Sequence, residues 1–446
     1  MNDTIFALAT APGRGAVAVL RLSGPAARVA LEALRVKTPK PRQAALRRLR
    51  DASGQALDRA LVLWFPAPRS YTGEDCAELH LHGGAAVIDA VTMALLEAGL
   101  RLAEPGEFTR RAFESGKLDL GQAEAVADLI DAESAGQARQ AMGQLDGALG
   151  RRYLRWREML VDSLAGLEAA VDFPDEEIPA DVLARAAADL EALRGELGLA
   201  LKDATRGRRV RDGYRVAILG ASNAGKSSLF NSLVGRDAVI VAAAAGTTRD
   251  VLEAPLTIAG YRVILADMAG LRRTRAPIEA EGVRRARDWA ANADLRLWIV
   301  DRSAAKGAWR EAANLVRPGD VCLMNKTDLP IGPDAEEAAA AAAKLGVEVI
   351  ALSLLRQDVG ALWDRLTARV TRDLTGTEFP AATRARHAEH LGAAWTHLER
   401  ALLRLDQPEL AAEDVRLAAR ALQRVSGRVG VEDVLDRLFA SFCIGK

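Results

Sequence analysis

The sequence has few cysteines, no long apolar run and no excess charge of either sign. Its 446 residues include three cysteines, Cys76, Cys322 and Cys443. An odd number of cysteines scattered through a long chain predicts reduced thiols rather than a disulfide framework. No stretch of about 18 uncharged apolar residues is present, which argues against a membrane-spanning helix.

The opening MNDTIFALATAPGRG also lacks the basic and apolar segments of a signal peptide. We therefore expect a cytoplasmic protein with no membrane association. Sixty lysines and arginines balance sixty aspartates and glutamates, so net charge gives no indication of a nucleic-acid partner. No G-x-G-x-x-G motif follows a predicted strand, so we expect no dinucleotide such as FAD to be bound by this chain.

The order of apolar patterns predicts a multidomain protein. Residues 1–117 combine strand-length apolar runs with helical spacing, and residues 118–212 read as long helices. Residues 213–373 alternate strands with helices, and residues 374–446 return to helix. Because helical segments of similar composition flank the alternating one, we predict an α/β module inserted into one helical domain.

The stretch RVAILGASNAGKSSLFNSLVG contains a complete phosphate-binding loop. Its residues 220–227 match G-x-x-x-x-G-K-[ST] between an apolar strand and an amphipathic helix. Backbone N–H groups of such a loop turn towards phosphates, and the helix N-terminus adds positive potential. We expect Lys226 to reach the β and γ phosphates and Ser227 to bind Mg²⁺.

The segment MNKTD predicts which base is bound. The carboxylate of Asp328 can accept hydrogen bonds from the ring N–H and the exocyclic amine of guanine, and adenine offers no such pair of donors. Asn325 and Lys326 precede it, and AGTTRD (residues 245–250) and DMAG (residues 267–270) lie between the two motifs in the order expected of a guanine-nucleotide site.

Hydrolysis requires a water molecule aligned with the γ-phosphate. Leu271 follows DMAG where Ras-like proteins place a glutamine, and leucine cannot orient water. A polar group from elsewhere must do so, and the charge of an arginine finger must be replaced. Spacing alone does not choose among the nearby candidates, which are Arg272, Arg273, Glu279 and Glu281.

The whole chain resembles the tRNA modification GTPase family, MnmE, also called TrmE. The matching segments are DTIFALATAPGRGAVAVLRLSG, YTGED, HGG, PGEFTRRAF, GKLDLGQAEAVADLIDA, VDFPDEEIP, GASNAGKSSLFN, AGTTRD, DMAGLR, NKTD and the terminal CIGK. The resemblance implies an α/β and all-α multidomain fold. In it, a Ras-like P-loop GTPase domain is inserted in a helical domain and preceded by an α/β folate-binding domain that dimerises.

The resemblance extends the set of residues expected at the nucleotide. That set is Asn223, Ala224, Gly225, Lys226, Ser227, Ser228, Ala242, Ala243, Ala244, Ala245, Gly246, Thr247, Thr248, Asp267, Met268, Ala269, Gly270, Asn325, Lys326, Asp328, Ser353 and Leu354. By resemblance, K⁺ is bound by Asn223, Ala242, Ala244 and Thr247, and Thr248 joins Ser227 at Mg²⁺. Glu279 matches the catalytic glutamate of the family. Met268 and Leu354 depart from the family pattern, at positions where threonine and alanine are usual.

The resemblance also implies a folate site. Arg21, Glu78 and Lys117 fall at its contact positions, Lys446 of the terminal CIGK reaches the ligand, and Cys443 lies close to the one-carbon unit as a second catalytic residue. A pterin ring calls for a carboxylate, and a glutamyl tail calls for basic groups. The ligand implied is a one-carbon tetrahydrofolate in its 5-formyl or methylene form.

The function implied is modification of carbon 5 of the wobble uridine of certain tRNAs. The chain would act as a homodimer through its N-terminal domain, with the flavoprotein MnmG in a heterotetramer or larger complex, and FAD would belong to that partner. The tRNAs served, and the choice of glycine or ammonium as amine donor, stay open. The alternatives are a regulatory or ribosome-assembly GTPase that acts as a binding switch, and an ATP-dependent enzyme, which NKTD disfavours.

Overall fold

The computed structural model describes residues 3–172, 180–236, 252–268, 277–305, 307–376, 379–427 and 432–440, together with 442, 444 and 445. Its strands are β1 Ile5–Leu8, β2 Val17–Ser23, β3 Ala45–Arg50, β4 Ala56–Phe65, β5 Cys76–His82, β6 Arg101–Leu102, β7 Tyr214–Gly220, β8 Leu252–Ile258, β9 Tyr261–Asp267, β10 Leu295–Asp301, β11 Val321–Asn325 and β12 Glu348–Ala351. Its helices are α1 Ala27–Ala33, α2 Ala85–Glu97, α3 Glu107–Glu114, α4 Leu120–Ile130, α5 Ala135–Leu145, α6 Ala148–Asp172, α7 Ala180–Asp212, α8 Lys226–Arg236, α9 Pro277–Ala291, α10 Arg310–Ala313, α11 Pro333–Lys344, α12 Gly360–Leu374, α13 Ala385–Leu402, α14 Pro408–Ser426 and α15 Glu432–Ala440.

The chain divides into two compact units. The first comprises Met1–Ile130, Gln144–Gly195 and His390–Lys446, and the second comprises Asp131–Gly143 and Glu196–Glu389. Each unit contains one six-stranded sheet together with packed helices. The predicted combination of α/β and helical parts is confirmed. The predicted domain limits at residues 117, 212 and 373 stay predictions.

The sheet of the first unit has the order β3-β4-β5-β2-β1-β6. Its strands are antiparallel except for β1 and β6, which pair in parallel. Alternate residues of each strand face a core that α1 and α2 complete, as the period-two pattern of CAELHLH predicts. The opposite face of β2 and β5 carries Arg21, Glu78 and His80, each of which is partly exposed.

The helical part of the first unit is built on two amphipathic helices. Helix α6 buries an apolar stripe at helical spacing, and packs it against α14. Helix α14 begins with a proline in its first turn and ends at Gly427, whose φ of 78° is the left-handed conformation typical of a helix C-terminus. Helix α15 adds Leu435, Leu438 and Phe439 to a small core with Leu120 of α4.

A buried arginine ties together the corner of the first unit where α3 meets β6. The side chain of Arg111 is 2% exposed and donates hydrogen bonds to Glu74, to Glu107 at 2.9 Å and to Asp3 at 3.0 Å. Arg101 donates to Glu107 and Asp3 as well. Burial opposes ionisation of Glu107, but hydrogen bonds from Arg101, Arg111 and a backbone N–H outweigh it and lower the pKa of this carboxyl.

Replacement of this arginine should therefore cost stability in a pH-dependent way. We expect Arg111→Met to lower the free energy of unfolding at pH 7 by about 3–5 kcal/mol, because Glu107 stays buried with one fewer cation. Because the pKa of Glu107 is lower in the folded state than its unfolded value of about 4.5, its ionised carboxylate stabilises the fold above that pH. This stabilisation is lost as the pH falls through the folded pKa. In urea unfolding measured from pH 7 to pH 3.5, the difference in free energy of unfolding between parent and variant should become smaller as the pH falls.

The matched control for this experiment is Arg194→Met. Arg194 forms an exposed ion pair with Glu191 one helical turn away, which is worth less than about 1 kcal/mol. A difference in free energy of unfolding between parent and Arg111→Met that stayed constant with pH would show that Arg111 contributes through packing alone.

The sheet of the second unit has the order β12-β11-β10-β7-β9-β8. All neighbouring strands are parallel except the antiparallel pair β8 and β9. Buried apolar clusters lie on both faces, which explains why β7, β10 and β11 read as nearly continuous apolar runs. Among the helices that the structure describes, none is long and apolar enough to cross a membrane.

Candidate functional site

The predicted nucleotide motifs converge at one edge of the second sheet. Strands β7, β9, β10 and β11 end at Gly220, Asp267, Asp301 and Asn325, and β12 ends just before Ser353. Parallel strands place their carboxyl ends at the same edge, where open α/β sheets bind their ligands. A cavity of about 800 Å³ opens there. Its lining residues are Ser222, Asn223, Gly225, Lys226, Ser227, Ser228, Asn325, Lys326, Asp328, Leu354, Leu355 and Gln357.

The phosphate loop connects β7 to α8 through two glycines that no other residue could replace without strain. Gly225 has a φ of 112°, and a Cβ there would collide with Nδ2 of Asn325. Gly220 has a φ of 153°, and a Cβ there would collide with the carbonyl oxygen of Ile299. Lys226 donates to the carbonyl oxygens of Gly220 and Ala221, each at 3.0 Å, so its ammonium lies over the loop.

Ser227 and Asp267 form a site that fits a divalent cation. Oγ of Ser227 donates to Oδ2 of Asp267 at 2.8 Å. Asp267 is 2% exposed, and its other oxygen, Oδ1, is buried without a hydrogen-bond partner in the described part of the chain. A buried, unpaired carboxylate oxygen beside a hydroxyl is the kind of hard oxygen ligand that Mg²⁺ prefers.

Asn325 joins the phosphate loop to the segment after β12. It is 3% exposed, and its Nδ2 donates to the carbonyl oxygen of Ala224 at 2.8 Å. The backbone N–H of Leu354 donates to its Oδ1 at 3.2 Å. Replacement of the usual alanine by Leu354 leaves this backbone contact intact, and the leucine side chain lines the cavity.

Asp328 faces the cavity with its carboxylate held in place. Oγ of Ser353 donates a short hydrogen bond to Oδ1 of Asp328, and this bond is the main reason why the pKa of Asp328 is lowered. The carboxylate is partly exposed in the cavity. An ionised carboxylate so oriented accepts hydrogen bonds and donates none, as guanine recognition requires.

Asp301 is a site residue that the motifs did not predict. Its Oδ2 accepts a hydrogen bond from Nζ of Lys326 at 2.6 Å. Its Oδ1 accepts from the backbone N–H of Ser303 at 2.9 Å and from Oγ of Ser303 at 2.6 Å. Burial alone would raise the pKa of Asp301, but the hydrogen bonds from Lys326 and Ser303 outweigh it and lower the pKa. The sequence feature that could have identified Asp301 is its position at the end of the apolar strand LRLWIVD.

Several predicted residues are not placed by the structure. Residues 242–248, Ala269, Gly270, Cys443 and Lys446 lie outside the described residues. Glu279 falls in helix α9, of which only the backbone is described at that position. Met268 is fully buried, and its side chain packs in the apolar cluster with Leu219 and Trp298 rather than lining the cavity.

A second group of predicted residues meets on the open face of the first sheet. Arg21 and Glu78 are paired directly across β2 and β5, and Nε of Arg21 donates to Oε1 of Glu78 at 3.1 Å. Nε2 of His80 lies 3.3 Å from Oε2 of Glu78. The guanidinium carbon of Arg21 lies 5.6 Å from the ring centre of Tyr71 and 5.8 Å from that of Phe108.

The loop that contains Tyr71 links this group to Lys117. A Cβ added at Gly73 would lie 3.4 Å from Cε of Lys117, so the lysine stem packs on the same loop. The OH of Tyr71 forms a hydrogen bond of 2.9 Å with Oγ1 of Thr109, and burial is the main cause of its raised pKa. The family resemblance pointed to Arg21, Glu78 and Lys117 as contact residues. Tyr71 and Phe108 lie in the matching segments YTGED and PGEFTRRAF, but no contact was assigned to them.

The end of the chain reaches the same sheet. Ile444 forms an isolated antiparallel bridge with Pro105. Gly445 has a φ of 98° and lies so close to β1 that a Cβ would collide with the carbonyl oxygen of Leu8. Leu8 pairs with Leu20, the neighbour of Arg21 in sequence. Gly445, the neighbour of Lys446, therefore lies against β1, the strand next to the one that carries Arg21.

Comparison with known proteins gives one consistent result. Residues 4–117 match the family model described as GTP-binding protein TrmE N-terminus, and residues 120–443 match the model described as MnmE helical domain. The tRNA modification GTPase MnmE of Phenylobacterium zucineum is 57% identical over 447 residues, which cover 100% of both chains. That of Caulobacter vibrioides is 56% identical over 448 residues with the same coverage.

The chain belongs to the tRNA modification GTPase MnmE family. The resemblance predicted from the motifs is confirmed, and so is the prediction of a GTP hydrolase at the level of this family. The match to the MnmE helical model spans residues 120–443, a range that includes the second sheet.

Proposed function

We propose that the chain is a potassium-dependent GTPase that modifies carbon 5 of the wobble uridine of certain tRNAs with a flavin-containing partner, MnmG. The product would carry a carboxymethylaminomethyl or aminomethyl group, with its carbon taken from a one-carbon tetrahydrofolate. GTP hydrolysis would drive the required conformational change. The supporting observation is the edge of the second sheet, where Lys226, Ser227, Asn325 and Asp328 line one cavity.

The described residues divide the work of nucleotide binding. Lys226 and the loop N–H groups would bind the phosphates, and Asp328 would accept hydrogen bonds from guanine. Ser227 and Asp267 would hold Mg²⁺, which neutralises charge on the β and γ phosphates when it is bound. Asn223 has a φ of 67° and lines the cavity, where its side chain would contribute to a K⁺ site with residues 242–247. A monovalent cation there would supply the charge that an arginine finger provides elsewhere.

The group on the first sheet supports the folate part of the proposal. Glu78 is a carboxylate that accepts hydrogen bonds from Arg21, and a pterin ring offers N–H donors of the same kind. The rings of Tyr71 and Phe108 beside Arg21 add flat apolar surface. Lys117 would meet the anionic glutamyl tail.

Exposed leucines on the same sheet support association through the N-terminal domain. Leu46 on β3 and Leu61 on β4 are directly paired and are 51% and 44% exposed. Along these strands, residues that face the core, such as Leu49 and Val62, alternate with residues that face away from it, so the two leucines lie on the opposite face. An apolar strip of this kind fits a contact between two copies of the domain.

A binding switch, such as a ribosome-assembly GTPase, is the second candidate, and folate binding separates the two. We expect the full chain to bind 5-formyl-tetrahydrofolate in calorimetric titration, and Glu78→Gln to weaken it at least about tenfold, because a charged hydrogen-bond acceptor is lost. The GTP hydrolysis rate of Glu78→Gln should match that of the parent.

The matched control is His82→Gln on the same strand. The side chain of His82 is 72% exposed and bonds to Asp58 rather than to Glu78, so its loss should leave folate affinity unchanged. A parent protein that hydrolyses GTP and ignores reduced folate would favour the binding switch.

A further inference from the structure

Lys326 occupies a backbone conformation that lysine rarely adopts. Its φ of 64° is left-handed, and non-glycine residues in this region cluster at ligand sites where the surroundings hold them in place. The backbone around it is fixed, since Thr327 donates to the carbonyl oxygen of Leu352 and Leu329 donates to that of Lys326. The backbone conformation therefore sets where the side chain begins.

The Lys326 side chain is also fixed at its other end. Lys326 lines the nucleotide cavity, whereas Asp301, which binds its ammonium, is not among the lining residues. The four-carbon stem is therefore held between a fixed backbone at the cavity and the carboxylate of Asp301, 2.6 Å from its ammonium nitrogen. Lysine stems present apolar surface while the charged end is bound elsewhere.

Asp301 is itself held rigidly. Strands β10 and β11 pair Asp301 directly with Asn325, the residue before Lys326. The backbone N–H of Arg302 donates to the carbonyl oxygen of Asn325 at 3.1 Å, and Ser303 donates two hydrogen bonds to the other carboxylate oxygen. Oδ2 of Asp301 accepts from Lys326 while Oδ1 accepts from Ser303, so the carboxylate has a defined orientation towards the lysine.

We propose that Asp301 is a positioning residue for the guanine nucleotide, acting through Lys326. It holds the lysine ammonium so that the stem forms a flat wall of the base site next to Asp328. This inference rests on the proposed guanine-nucleotide site and assigns a role to a residue outside its recognised motifs.

The test uses the full chain and a fluorescent GDP analogue. Asp301→Asn keeps an oxygen that accepts from Ser303 but loses the charge that holds Lys326. We expect it to raise the dissociation constant about tenfold, mainly through faster dissociation, since one charge-assisted hydrogen bond is lost. The KM for GTP should rise while kcat at saturating GTP stays within about twofold of the parent. Asp301→Glu, which keeps the charge, should recover part of the affinity.

A double-mutant cycle distinguishes positioning from general destabilisation. If Asp301 acts through Lys326, Asp301→Asn should have no further effect in a Lys326→Met background. If the increases in dissociation constant of the two single variants multiplied in the double variant, the inference would be overturned. An unchanged dissociation constant in Asp301→Asn would overturn it as well. Should Asp301→Asn fail to fold, Asp301→Glu decides, and full loss of affinity there would count against the proposed role.

The control is Glu348→Gln, a carboxylate on β12 that pairs with Arg365 away from the cavity. It should leave nucleotide affinity unchanged. A parent protein that fails to bind the guanine analogue, or binds an adenine analogue equally well, would overturn the proposed nucleotide site and the inference with it.

Discussion

Asp328→Asn is expected to weaken GTP binding by on the order of 10⁴-fold and to improve binding of xanthosine triphosphate. In the proposed site, the carboxylate of Asp328 would accept hydrogen bonds from the ring N–H and the exocyclic amine of guanine. Xanthine carries a carbonyl oxygen in place of that amine, to which an asparagine amide can donate. Ser353 orients the carboxylate by a short hydrogen bond, so the new amide should occupy nearly the same place. Competition against a fluorescent GDP analogue measures both affinities.

The matched control for this change is Asp364→Asn. Asp364 is exposed on α12 and is not one of the residues that line the cavity, so its neutralisation should change neither affinity. An Asp328→Asn variant that keeps the parent preference for GTP over xanthosine triphosphate would remove Asp328 from base recognition.

Glu279→Ala is expected to retain GTP affinity while turnover falls by on the order of 10²-fold or more. Leu271 cannot orient water, so another polar side chain must position the attacking water. The resemblance to the family assigns this role to Glu279, and we propose it here. Turnover of the parent should also be much faster in KCl than in NaCl, because K⁺ beside Asn223 would supply charge at the phosphates. Phosphate release under saturating GTP in each salt measures both effects.

Glu281→Ala serves as the control in the same helix, since Glu281 is the other acidic candidate that follows DMAG in sequence. It should retain most of the parent turnover. Loss of turnover in Glu281→Ala with full activity in Glu279→Ala would exchange the two roles. Equal parent rates in KCl and NaCl would remove the cation from hydrolysis.

The sequence was most informative where a motif fixes both spacing and element type. The strand, loop and helix around Lys226 are present as predicted, and Asn325 and Asp328 reach the same cavity because parallel strands end at one edge. Arg21 and Glu78 were singled out by family resemblance alone, as folate-contact positions. Their direct pairing across β2 and β5 was not predicted, and the register of the two strands brings both side chains to the same face of the sheet.

The sequence was least informative about contacts between elements far apart in the chain. Residues 131–143 read as part of a continuous helical region, yet they belong to the same compact unit as the second sheet. The backbone N–H of Gly136 donates to the carbonyl oxygen of Gly260 at 2.7 Å, and Glu133 pairs with Arg262 at 3.1 Å. An amphipathic pattern shows that a helix buries one face but does not show which partner covers it.

The same reasoning explains why Asp301, Tyr71 and Phe108 were missed. Each acts on a predicted residue through a contact across strands or loops, at no fixed distance in sequence. A motif records residues that touch a ligand at constant spacing, whereas the groups that hold those residues in place depend on the register of the sheet.

The close approach of Gly225 to Asn325 has a consequence for how such a protein can change. Gly225 of the phosphate loop and Asn325 of the NKTD segment are in direct contact, with no space between them for even a methyl group. A substitution of Asn325 selected to alter base specificity would therefore also disturb the phosphate loop. Engineering that aims at a new nucleotide should therefore start at Asp328, which lines the cavity and is partly exposed.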